Sequence, residues 1–161
     1  MTHRTVTTTL VALAVATTAF STPFVAKWPP WLSIESPVNP FDQTARGAVF
    51  LVHAVFREGP SQVSDLSGTA EGIVNGSRRS IALRFDTTGR PNVFAVRRQW
   101  PSDGTWLLRI ALRQTTAIVT LDRGGNVASV RVPTELAAGN QLPRPVDAKE
   151  IDSTLAAAAR R

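Results

Sequence analysis

The sequence predicts an all-β chain, an antiparallel β-sandwich of about seven short strands, with a small open barrel as the competing architecture. Three observations predict it. Between Gly47 and Val132, apolar and polar side chains alternate with the period of two that a half-buried strand requires. The alternating runs are brief and separated by turn chemistry, clearest at Asn75-Gly76 and Pro101-Ser102-Asp103-Gly104. No helical spacing interrupts them. With 161 residues, 43% of them hydrophobic, the chain can bury one core and is too short for two ordinary ones.

The first segment reads as an address. Arg4 lies in a short basic start, and Val6 to Phe20 then runs 15 residues without charge before Pro23. Ala19 and Ser21 place small residues at the positions a signal peptidase needs, so residues 1–21 are expected to be a signal peptide, with Ala26 as a second cleavage point. A membrane-spanning helix needs roughly 20 mostly apolar residues, so a cleaved signal is favoured over an uncleaved anchor or a buried N-terminal strand. The expected location is periplasmic or secreted, with no stable membrane span after cleavage. Removing the signal leaves 17 basic residues against 12 acidic ones. Of the 18 basic residues in the whole chain only Lys27 and Lys149 are lysines, an arginine bias typical of a GC-rich bacterial genome. No cysteine is present, so core packing alone must hold the exported form together.

Residues 22–46 form a Pro/Trp-rich lead. Trp28-Pro29-Pro30-Trp31 favours an extended path, either a sticky recognition segment or, as favoured here, the approach to an edge strand in which Leu32 and Ile34 alternate with Ser33 and Glu35. The domain proper is expected over 47–132. Phe50, Val52, Ala54 and Phe56 share one face of the run from Ala48 to Phe56, and His53 lies on the other. Ile73-Val74 and Ser80 to Phe85 make a hairpin through Asn75-Gly76, and Val93 to Trp100 follows after a loop at Asp86 to Pro91. The clearest alternation is Thr105 to Arg113, with Trp106, Leu108, Ile110 and Leu112 inward. Ala117 to Leu121 and Val127 to Val132 complete the set. Residues 133–161 read as an irregular linker and a short C-terminal helix over Asp147 to Ala159, with Val146, Ile151 and Leu155 on one narrow stripe. A helix that short must dock or fray.

Composition narrows the chemistry. A serine–histidine nucleophile has only His53 available after export, and no serine motif accompanies it. Asp86, Asp103 and Asp122 fall in expected turns, where carboxylates bond local backbone, rather than pairing for acid–base work. One histidine, no cysteine and no internal methionine make a poor copper or zinc site, and Gly124-Gly125 joins two strands rather than opening a phosphate-binding helix. No catalytic residue, metal ligand or cofactor is therefore expected. The candidate ligand-binding residues are Arg84, Arg97, Arg109 and Arg113, which would share a solvent-facing side if successive strands pair; guanidinium groups there suit carboxylate, phosphate or a polyanionic envelope polymer. Export and the lack of interleaved stacking residues disfavour nucleic acid.

Gly89-Arg90-Pro91, Val93-Phe94-Ala95-Val96 and Gly104-Thr105-Trp106-Leu107-Leu108-Arg109-Ile110 resemble the YtkA-like and FixH-like periplasmic domains over residues 87–112, about a quarter of the chain. The resemblance implies an immunoglobulin-like sandwich, linked in some members to copper delivery or oxidase assembly. The histidines and methionines that would ligate copper have no counterparts here. The expected function is an exported, non-catalytic binding or accessory domain contacting a protein or an anionic envelope polymer. A periplasmic copper-type metal-handling module is the alternative, and a small hydrolase the remote one.

Overall fold

A computed structural model describes residues 28–57, 63 and 65–160. The expected signal peptide at 1–21 lies outside these residues. The chain is mostly β, built of antiparallel sheets with one C-terminal helix. Strands β1 (Trp31–Glu35), β2 (Ala48–Val55), β5 (Asp86–Thr87) and β6 (Val93–Arg97) form a four-stranded sheet in the order β1-β2-β6-β5. A five-stranded sheet runs β4-β3-β7-β8-β9, from β3 (Leu66–Val74), β4 (Ser77–Ala82), β7 (Thr105–Leu112), β8 (Thr115–Leu121) and β9 (Val127–Arg131).

Local chemistry sets the corners. Asn75 and Gly76 both take positive φ, 49° and 75°, and join β3 to β4 as the sequence leads one to expect. The inward sides of the two sheets meet in one hydrophobic cluster. Leu32, Phe50, Val52 and Val96 come from the four-stranded sheet, and Ala70, Trp106, Leu108, Ile110 and Val119 from the other. The edge strand expected from Leu32 and Ile34 is β1, whose Leu32 is fully buried.

Trp106 packs its indole flat on Gly72 of β3, where an added Cβ would fall 2.4 Å from the ring, and its Nε1 donates to the Asp103 carbonyl at 2.8 Å. Only a residue without a side chain fits beneath that ring. Gly72→Ala is expected to destabilise the protein by about 1–3 kcal/mol, because a rigid ring and backbone must move apart. A urea titration checks this, through a lower midpoint at unchanged slope.

The outer faces depart from the expectation of solvated sheet. Leu107, on the side of β7 expected to face water, is fully buried. Helix α1 (Ala148–Ala159) lies over it, and Ile151 and Leu155, with Val146 just before the helix, pack against Leu107, Ile118 and Ile73. The narrow apolar stripe thus docks. Asp147 caps the helix by accepting from the Glu150 amide at 2.7 Å. Three arginines pin its acidic side: Arg78 bridges Glu71 and Asp152, while Arg131 and Arg144 reach Glu150 at 3.0 and 2.9 Å. The stretch read as an irregular linker holds a hairpin of β10 (Thr134–Ala137) and β11 (Asn140–Pro143). Its turn is Ala138-Gly139, both at positive φ, and alanine there hides the signal that asparagine would have shown. Among the described residues no helix is long and apolar enough to cross a membrane.

Glu71 links this clamp to pH. Partial burial pushes its carboxyl up, but the Thr69 and Ser80 hydroxyls and the Arg78 guanidinium outweigh that and hold it below the ordinary glutamate range. A carboxylate depressed in the folded state stabilises at and above its ordinary range, and that contribution is lost as pH falls through the lower folded value. Thermal stability should therefore drop below the ordinary glutamate range less steeply in Glu71→Gln than in the parent. Parallel melts across that acid range check it.

Candidate functional site

The four arginines singled out by sequence do not share one side. Arg97 ends β6 on the outer face of the four-stranded sheet, where it pairs with Asp86 and donates to the Arg46 carbonyl at 3.3 Å. Arg84 lies in the link from β4 to β5. The Gln99 side chain ties the two together, accepting from the Arg84 amide at 2.7 Å and donating to the carbonyls of Arg84 and Arg97 at 3.0 and 3.3 Å. Arg109 stands on β7 in the opposite sheet, half-buried beneath the start of α1, where it borders a cavity of about 270 Å³ with Glu71, Arg78 and Ile151. Arg113 opens the β7–β8 turn at φ 54°, 3.7 Å from Asp65 and with its guanidinium 5.7 Å from the Phe56 ring centroid. The cause of the separation is topological. Strands β6 and β7 follow one another in sequence, but β6 pairs with β2 and β5, and β7 with β3 and β8.

The structure brings two further arginines to Arg84 and Arg97. Residues 38–46 cross the outer face of the four-stranded sheet and cover Leu51, Val93 and Ala95 with Val38 and Ala45. They carry Arg46 to the end near Arg97, where its guanidinium donates to the Gln43 side chain. Arg90, from the β5–β6 loop, reaches back to Asp42 at 3.2 Å and Glu35 at 3.8 Å. Phe41, at the apex of this covering segment, is 86% exposed. The outer side therefore presents Arg46, Arg84, Arg90 and Arg97 against Glu35, Asp42 and Asp86. Neither Arg46, Arg90 nor Phe41 lies in a strand, so alternation could not point to them.

His53 faces this side from β2. Its Nε2 lies 2.8 Å from Glu35 Oε2, and Arg90 shares that carboxylate. The cross-strand partner of His53 is Ser33, but no hydrogen bond joins the two among the described residues. The Nε2 of the histidine is thus engaged by a carboxylate that Arg90 shares. The Thr44 hydroxyl, at 2.6 Å from Oδ1, leads the effects that hold the Asp42 carboxyl below its usual range, with Arg90 adding to it. Of the acids expected in turns, Asp122 accepts from the Asn126 amide at 2.9 Å and sits low for that reason, whereas Asp86 belongs to β5 and pairs with Arg97. Among the described residues no three His, Cys, Asp or Glu side chains gather as a metal site would require. What the arrangement can do chemically is present guanidinium donors to an anion.

Compared with protein-family models, curated proteins and solved structures, the chain matches none of them.

Proposed function

We propose that the protein is an exported, non-catalytic binding or accessory domain on an immunoglobulin-like β-sandwich, contacting an anionic envelope polymer or another envelope protein. The strand order supports the fold reading. Taken in chain order as A, B, C, C′, D, E, F and G, strands β1 to β8 run A-B-E-D in one sheet and C′-C-F-G in the other, the immunoglobulin arrangement. Strand β9 adds one edge and α1 covers the outer face of the second sheet. The region resembling YtkA-like and FixH-like domains supplies β6, β7 and the crossing between the sheets.

The observation that carries the binding reading is the outer side of the four-stranded sheet, with Arg46, Arg90 and Arg97 on it, Arg84 tied to it through Gln99, and Phe41 exposed on the segment that crosses it. Among the described residues Arg90 and Arg97 are held by carboxylates, whereas Arg46 bonds the neutral Gln43 side chain and Arg84 forms no ion pair, so these two are the groups that an incoming anion would meet. The experiment is retention on immobilised polyphosphate across a salt series. Arg46→Glu/Arg84→Glu should lose at least about tenfold in affinity and flatten the slope of log affinity against log salt by about 2, while melting as the parent does. Equal retention by parent and variant would overturn the reading.

A further inference from the structure

Three of the large hydrophobic side chains that stand exposed lie at the end of the molecule away from Arg46: Trp28 (39% exposed), Trp31 (42%) and Val55. Trp31 and Val55 are cross-strand partners at the start of β1. Trp28 and Pro29 line a groove of about 360 Å³ with Glu135, Ala137, Leu142 and Pro143. The Trp28-Pro29-Pro30-Trp31 segment is fastened to the fold, because the Thr115 hydroxyl donates to the Pro30 carbonyl. Two cations lie among these rings. Arg57 stacks 4.1 Å from the Trp28 centroid, and Arg113 stands over Phe56.

We infer that this end rests on a phospholipid bilayer, with Trp28 and Trp31 in the interfacial layer and Arg57 and Arg113 against headgroup phosphates. Exposed apolar side chains gathered in one place mark an interaction surface, and tryptophan beside arginine is the pairing suited to a boundary between hydrocarbon and phosphate. Asp65 lies 3.7 Å from Arg113 and Glu135 faces the groove, so this is not a plain cationic patch. Apolar insertion leads and the guanidinium groups orient it. The position in the chain selects the occupant. Lys27 precedes Trp28 directly, and the uncharged run Val6 to Phe20 ends eight residues before Trp28, a reach of at most about 29 Å. Where that run is retained it tethers this end of the fold to a membrane, and where it is cleaved the rings and guanidinium groups act alone.

The test uses the chain from Thr22 onward, which keeps every core residue, since the first of them is Leu32. Vesicles of one part phosphatidylglycerol to three parts phosphatidylcholine are floated with it, and intrinsic fluorescence is recorded. Trp100 and Trp106 are each 3% exposed and already dry, so a blue shift reports Trp28 and Trp31 alone. Flotation with a blue shift is expected. Trp28→Ala/Trp31→Ala should lose at least about tenfold in partitioning, and Arg57→Glu/Arg113→Glu several-fold, each with a parent-like melt. Arg46→Glu/Arg84→Glu should float as the parent does, which keeps this inference separate from polymer binding. No flotation, undiminished flotation of the tryptophan variant, or a shift with a soluble polymer and none with vesicles would overturn it.

Discussion

Replacing Trp106 by alanine is expected to cost about 3–5 kcal/mol, a large share of the stability of a domain this size. The indole is 3% exposed, lies flat on Gly72 across the β3–β7 pair, and satisfies its Nε1 on the Asp103 carbonyl. Alanine leaves a cavity that glycine cannot help fill, because there is no side chain on that side to relax inward. Urea unfolding of the variant should show a much lower midpoint. A loss below about 1 kcal/mol would mean that Trp106 faces away from the core.

Leu155→Ala should cost about 2–4 kcal/mol and should do so by releasing α1 from the sheet. Leu155 is fully buried against a small cluster that includes Leu107 and Ile118, separate from the main core. A 12-residue helix rich in alanine has little stability of its own, so losing its deepest contact removes the reason for it to fold. Amide exchange at Ile151 and Leu155 should then quicken toward the unfolded rate while the β3 and β7 amides stay protected. The Arg78–Asp152 pair is exposed enough that salt screens it, so it orients the helix more than it holds it, whereas Arg144 and Glu150 are half-buried.

Much of the strand content was legible because half-buried strands write their burial into sequence at a period of two. The inward sets on β2 and β7 and the turn at Asn75-Gly76 could all be read this way. So could the apolar stripe of α1, although not its destination. Periodicity reports which side of an element is apolar and is silent about what covers the other side. Leu107 therefore looked solvent-facing until α1 was placed above it. The arginine surface failed at the same point. Arg97 and Arg109 lie on consecutive strands, and a local reading pairs consecutive strands. Only the crossing between sheets, a long-range choice decided by the shared core, sends them to opposite sides. Arg46, Arg90 and Phe41 sit in loops, where the residue types are visible but their convergence is a property of the fold.

Strand pairing by NMR, read from cross-strand backbone contacts, tests the central claim most directly. Contacts of Leu51 with Ala95 and of Ala70 with Leu108 are predicted, with none between Val93–Arg97 and Thr105–Leu112. Contacts joining those last two segments as a simple hairpin would contradict the two-sheet arrangement and put Arg97 and Arg109 back on one surface.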